Sequence, residues 1–176
     1  MTGTLEPAAA VVVMGVCGSG KTSVGERLGV SLGVPFRDAD EFHPPANIAK
    51  MSSGVPLDDN DRWPWLDAIG AAIRDTTGGV VIACSALKRI YRERIKASAG
   101  RPVTFVYLEG SRATLAARLG GRRGHFMPPS LLDSQLLILE PPTPDEGAII
   151  VSVELPLDGV VEAVLSRLSL APGQPA

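Results

Sequence analysis

Residues Gly15-Val16-Cys17-Gly18-Ser19-Gly20-Lys21-Thr22 fit the pattern G-x-x-x-x-G-K-[ST] without a gap. Each position has a chemical reason. Glycines let successive backbone N–H groups turn inward around phosphate oxygens. A helix beginning at Lys21 adds the partial positive charge of its N-terminus. The Lys21 ammonium is expected to reach the β- and γ-phosphates, and the Thr22 hydroxyl to ligate Mg²⁺. Gly15, Val16, Cys17, Gly18, Ser19, Gly20, Lys21, Thr22 and Ser23 are therefore candidate ATP contacts. A helix N-terminus can lower a thiol pKa, but Cys17 reads more simply as a small tolerated side chain. Metal-assisted phosphoryl chemistry also needs carboxylates. The apolar run Val80–Ala83 ends in Cys84-Ser85, without the acid that large ATPases carry there. Asp38 and Asp40 are the best substitutes: a D-x-D pair can divide labour between a metal and an acceptor hydroxyl. A solvated acidic turn is the competing reading of that pair.

These groups need elements to hold them. Ala10–Val16, Val80–Cys84, Val103–Leu108 and Ala148–Val153 are short apolar runs that read as buried strands, with Val34–Arg37 a possible fifth. Helical spacing marks Lys21–Leu32, Trp65–Arg74, Arg112–Leu119 behind Ser111 as N-cap, and Leu157–Leu168. Strands alternating with amphipathic helices predict an α/β fold with a parallel sheet covered on both faces. Two stretches interrupt the alternation: Asp38–Asp61, rich in Pro, Asn and Asp, and Gly120–Pro129. Insertions at strand ends are where such folds keep their sites.

Composition narrows the function. The 176 residues fit one domain, 1–176, and 45% hydrophobic content supports a core. A formal charge of −2 argues against a general nucleic-acid binder. Two cysteines cannot form a disulfide framework, and the first ten residues carry no Lys or Arg. No apolar run is long enough to span a bilayer, so no membrane association and a cytoplasmic location are expected. The absence of N-K-x-D excludes a GTPase of the Ras type. Among basic residues Arg outnumbers Lys 13 to 4, which favours planar recognition of phosphate or carboxylate at particular places.

The sequence resembles the gluconate kinases, members of the small P-loop sugar and shikimate kinase group, over nearly all of Val11–Leu168. The resemblance rests on the glycine loop, Asp38-Ala39-Asp40 followed by Phe42-His43-Pro44, and Asn47-Ile48-Ala49-Lys50-Met51 with Gly54-Val55-Pro56-Leu57. It continues through Asp58-Asp59-Asn60-Asp61-Arg62 with Trp65-Leu66, Cys84-Ser85-Ala86-Leu87-Lys88 with Tyr91-Arg92, and Arg122-Arg123-Gly124-His125-Phe126-Met127. Gln135 and Leu139-Glu140-Pro141 extend it further. The glycine loop alone is widespread; its combination with H-P after D-x-D, C-S-A-L-K and G-H-F is much more specific. The resemblance implies the P-loop nucleoside-triphosphate hydrolase fold, five parallel strands with a mobile lid over about 119–129. It also implies transfer of the ATP γ-phosphoryl group to the 6-hydroxyl of D-gluconate, with Mg²⁺, in a chain that forms homodimers.

Other residues gain roles beside that resemblance. Asp40 is the expected base or orienting group, and Asp38 with Thr22 the metal ligands. Arg62 suits a substrate carboxylate, although on spacing alone it reads as a salt-bridge partner of Asp59 and Asp61. Pro64 is tolerable if it falls in the first helical turn. His43 is assigned to substrate hydroxyls without a general-base role. Ser85 could touch substrate or cap a helix over 86–96, and Lys88 could serve the substrate or phosphoryl site. Arg118 resembles the Arg beside the nucleotide, and Arg122 the lid Arg, a catalytic cation. Glu140–Glu146 resembles the loop near adenine, and Trp63 and Trp65 read as packing residues. A shikimate-type kinase is disfavoured because Ser85-Ala86-Leu87 replaces a triple-glycine stretch. A nucleotide-binding regulator without transfer is disfavoured by the D-x-D pair and the Arg-rich lid.

Overall fold

Runs of β-branched residues with no polar alternation belong in strands covered on both faces, and Val11, Val12 and Val13 are wholly buried. A computed structural model describes residues 9–121 and 129–169. Its elements are β1 (Ala10–Met14), α1 (Lys21–Leu32), β2 (Phe36–Asp38), α2 (Pro45–Ser52), α3 (Asp59–Asp75), β3 (Val80–Ala83), α4 (Arg89–Ala99), β4 (Thr104–Glu109), α5 (Arg112–Gly120), α6 (Pro129–Ile138), β5 (Ile149–Ser152) and α7 (Leu157–Ser169). Short 3-10 turns occupy Ala39–Phe42 and Pro144–Glu146.

The five strands are all parallel, in the order β2-β3-β1-β4-β5. Side chains of successive strand residues point to opposite faces. Val12, Met14, Ile82 and Phe105 accordingly pack with Leu66, Ile69 and Ile95 from α3 and α4. Val11, Val13, Val81 and Val106 pack on the other face with Val24, Leu28 and Val164 from α1 and α7. Each such burial removes apolar surface worth about 1.5–3 kcal/mol per large aliphatic side chain.

The order places β3 between β2 and β1, so the acid-bearing strand does not neighbour the loop-bearing one. Asp38 and Val13 both register with Ala83. The chain past Ala83 therefore lies between Asp38 and the glycine loop. β2 approaches α1 closely because Gly25 has no side chain: a Cβ there would stand 2.5 Å from the Phe36 ring.

Local readings needed three corrections. Asp38–Asp61, read as an interruption of the strand–helix alternation, itself contains a helix: Pro45, at the first position of α2, starts it. Asp58 begins α3 with a capping box, its carboxylate accepting from Asp61 N–H at 2.8 Å. That start puts Pro64 in the second turn rather than the first, where the missing N–H leaves the Asn60 carbonyl without its helical donor. Ser85 caps no helix. Ala86 takes a left-handed φ of 44°, which breaks any helix from 86, and α4 begins after Lys88.

Candidate active site

The glycine loop joins β1 to α1. Gly15 sits where a Cβ would stand 2.7 Å from Ser19 Oγ and 3.2 Å from the Leu108 carbonyl. Its N–H donates to the Ser85 carbonyl at 3.3 Å, which ties the loop to the end of β3. Gly20 turns the chain with a left-handed φ of 89°, and the first intrahelical bond runs from Val24 N–H to Gly20 O. Lys21, Thr22 and Ser23 thus keep N–H groups free of intrahelical acceptors. Val16 and Cys17 are buried against Leu87, Leu115, Leu119 and Leu132, so the base of the loop rests on an apolar platform.

A cleft of about 240 Å³ opens above this loop. Cys17, Gly18, Gly20, Lys21 and Thr22 line it from the loop and α1, and Asp38, Ala39 and Asp40 from the end of β2. Ala83, Cys84 and Ser85 follow from the end of β3, with Trp65 and Gln135 completing the wall. The ends of parallel strands converge here, as expected of an open α/β sheet.

The charges in the cleft are coupled. Lys21 is half-buried and its Nζ donates to the Val16 carbonyl at 3.1 Å. Burial holds its ammonium below the ordinary lysine value, while the Cys17 and Cys84 thiols, Asp40 and Asp38 pull the other way. Desolvation and the neighbouring Asp38 raise the Asp40 carboxyl above the ordinary value, against weaker opposition from His43 and Lys21. Asp38 Oδ1 accepts from Asp40 N–H at 2.9 Å, which fixes the turn presenting both acids. Burial pushes the Cys84 thiol up to about 12, so it is inert at neutral pH.

His43, Arg62 and Lys88 do not line this cleft; they stand around it. His43 stacks on Trp65 with ring centroids 4.4 Å apart, and burial lowers its pKa against the pull of Asp40. Arg62 Nη1 and Lys88 Nζ approach Asp59 at 3.7 and 3.4 Å, and Tyr91 Oη donates to Asp59 Oδ1 at 2.5 Å. The Tyr91 hydroxyl holds the Asp59 carboxyl below its ordinary value, with help from Lys88 and Arg62. Two cations separated by 26 positions, with the Tyr91 hydroxyl, thus share one carboxylate. Of the two acids expected to pair with Arg62, Asp59 does so and joins it to Lys88, while Asp61 pairs with Lys50 at 2.5 Å.

A second concavity of about 250 Å³ continues across Gly18, Ser19, Gly20 and Ser23 to Arg118. Its apolar wall is Val153, Leu155, Leu157 and Val160, and Arg118 Nη2 donates to the Val153 carbonyl at 2.5 Å. The segment Glu140–Glu146 does not line it. That segment is held against α4 instead, by the buried Arg92, whose guanidinium meets Glu146 at 2.7 Å and the Glu140 carbonyl at 3.0 Å. Arg122, and most of the 119–129 stretch expected as a lid, lie outside the described residues.

Gln135 is a cleft residue that motif spacing did not single out. Its Oε1 accepts from Cys17 N–H at 2.7 Å, across 118 positions of sequence. The only sequence cue was its membership of the extended resemblance. Trp65 was read correctly as packing, with its Nε1–H donating to the Ala39 carbonyl at 2.7 Å, yet it also forms cleft wall.

Over 158 residues the chain is 48% identical to the gluconokinase of Gluconobacter oxydans, covering 88% of each chain. The chain belongs to the gluconokinase family. Among solved structures, the gluconokinase from Sinorhizobium meliloti superposes with a TM-score of 0.85 at 48% identity, covering 94% of both chains. Residues 17–135 also match the shikimate kinase family. A shikimate kinase from Bacteroides thetaiotaomicron superposes with a TM-score of 0.63 at 19% identity, over 92% of this chain and 97% of that one. That likeness shows a common P-loop kinase fold. The gluconokinase match adds side-chain identity to it. Among the described residues, no helix is long and apolar enough to cross a membrane.

Proposed function

We propose that this gluconokinase-family chain transfers the γ-phosphoryl group of ATP to the 6-hydroxyl of D-gluconate, giving 6-phosphogluconate. One observation carries the reading: the glycine loop with Lys21 and the Asp38/Asp40 pair line a single cleft. A phosphate cradle facing a raised carboxyl suits transfer to a hydroxyl. The apolar concavity beside Arg118 extends from the loop where a nucleoside base would follow its phosphates.

In this mechanism the N–H groups of Gly18, Gly20, Lys21, Thr22 and Ser23 and the Lys21 ammonium hold the triphosphate. Arg118 lies along the nucleotide. Asp40 accepts a hydrogen bond from the attacking hydroxyl and orients it, taking its proton as transfer proceeds. Ser85 contacts the acceptor from the end of β3, while Arg62, Lys88 and His43 receive its carboxylate and hydroxyls. Arg122 is assigned from the sequence as the cation that closes on the transferred group. A divalent cation fits the donor set. Thr22 and Asp38 offer hard oxygens at the cleft, and the described residues form no preassembled cluster of three or more His, Cys, Asp or Glu. Mg²⁺ favours such a place, with few protein ligands and substrate phosphates for the rest. When bound, it neutralises charge on the phosphates. Residues 1–176 act as one kinase domain.

Coupled ADP release across sugar acids, sugars and shikimate tests the function. ADP release with D-gluconate, and not with shikimate, is the expected outcome. Release with shikimate alone refutes it, and ATP binding without release to any acceptor points to a regulator.

A further inference from the structure

The His43 imidazole is held on its face and on one edge. Its face stacks on Trp65, 11° from parallel, and Trp65 is itself fixed by its bond to the Ala39 carbonyl. On its edge, Asn47 Nδ2 stands 3.3 Å from His43 Nδ1. Asn47 is buried, with only 5% exposure. Its Nδ2 also donates to the Asp61 carbonyl at 2.9 Å. A carbonyl can only accept, so this second contact fixes which end of the amide is nitrogen. An amide nitrogen can only donate, so His43 Nδ1 is the acceptor.

We propose that Asn47 is a positioning residue that keeps His43 as the neutral Nε2–H tautomer, making His43 a donor to an oxygen of the acceptor substrate. This rests on the proposed acceptor-binding role of His43, whose ring stacks on the cleft residue Trp65. With the Nδ1 lone pair engaged by Asn47 and Nε2 carrying the proton, the ring has no free lone pair. It therefore takes no proton from the acceptor hydroxyl, and that task stays with Asp40. The charged groups facing the ring are Asp40 from the turn after β2 and Arg62 from α3; Asp61 presents its backbone carbonyl. Burial and Arg62 disfavour the imidazolium and Asp40 favours it, with a net downward shift. Pro44 and Pro45 start α2 immediately after His43, so Asn47 recurs one helical turn on, at the ring edge.

The test is imidazole nitrogen NMR on full-length protein isotopically labelled at histidine. The chain has two histidines, His43 and His125, and His43→Gln identifies the His43 signals by their loss. The expected result in the free wild type at neutral pH is a proton on Nε2 and none on Nδ1. Asn47→Leu should release that preference. Asn47→Asp, nearly identical in volume, should draw the proton to Nδ1 and raise the ring pKa. An Nδ1–H tautomer in the wild type, or an unchanged Nε2–H tautomer in both folded variants, overturns the proposal. Kinetics supply a second readout. His43→Leu should raise KM for D-gluconate about tenfold with a smaller change in kcat, and His43→Gln, which keeps a donor, should recover most of it. A loss confined to kcat in His43→Leu overturns the donor role. The tautomer is read without turnover, so a wild type that fails to phosphorylate D-gluconate refutes the proposed function and leaves this result separate.

Discussion

The two sides of the cleft are built differently. The loop side is backbone: Gly15, Gly18 and Gly20 shape the chain with positive φ, and one side chain, Lys21, adds charge. The side proposed for the acceptor is side chain. Asp38 ends β2 and Asp40 lies in the turn after it, while Arg62 from α3 and Lys88 just before α4 stand beside the cleft, joined by Asp59. A backbone cradle is specified by a short contiguous sequence. A side-chain site depends on which elements the sheet order brings together.

Variants can break this contrast, beginning with the largest effect. Lys21→Ala should lower kcat by about 10³-fold or more, since a preorganised cation on the phosphates is removed. Its melting temperature should hold or rise, because burial disfavours that charge. Near-normal turnover would remove the loop side from the chemistry. Arg92→Ala comes next. Arg92 donates to the Ala86 and Leu87 carbonyls and pairs with Glu146, with 1% of its side chain exposed. Its loss leaves a buried carboxylate and an unsupported turn behind Ser85, so unfolding free energy should fall by about 3 kcal/mol. Denaturant titration checks this; a loss below about 1 kcal/mol would contradict the buried-pair account.

Asp40→Asn should reduce kcat by about 10²-fold, with KM for ATP unchanged. Activity that needs the Asp40 carboxylate should rise with pH through a limb above the ordinary aspartate value. Asp38→Asn should move that limb to lower pH by removing a neighbouring negative charge. The stability sign is opposite to the activity sign. The fold favours protonated Asp40, so its ionisation costs stability as pH rises through the raised value. Asp40→Asn should therefore melt at the same temperature or higher at neutral pH. The smallest effect is Asp59→Asn, which loosens Arg62 and Lys88 together. KM for D-gluconate should rise about fivefold while kcat and KM for ATP hold; an equal fall in kcat would move Asp59 into the chemical step.

The same contrast explains what could be read from the sequence. α1 begins and ends as predicted, at Lys21 and Leu32, because the glycine loop precedes it and Gly33 follows it in a left-handed conformation. β1, β3, β4 and β5 were legible as apolar runs, and even the short β2 was placed to within two residues. α2 was not legible. Its eight residues sit between prolines and polar residues, and Asn47 is its single buried side chain. The start of α4 was misplaced because Ala86 adopts a conformation usual for glycine, held by Arg92 six residues later. Lys21, Asp38 and Asp40, picked out by spacing, do line one cleft. Gln135 lines it too but was not legible from spacing, because it is tied there by a tertiary bond from a backbone N–H. The Arg62–Asp59–Lys88 network likewise needs α3 and the start of α4 side by side before it exists.

Following the phosphorus atom tests phosphoryl transfer to the gluconate 6-hydroxyl. Purified protein given ATP, Mg²⁺ and D-gluconate should yield a phosphomonoester whose phosphorus couples to the two protons of the terminal CH₂, with ADP formed in equal amount. Phosphate on any other gluconate oxygen, or ADP with free inorganic phosphate and no ester, would contradict it.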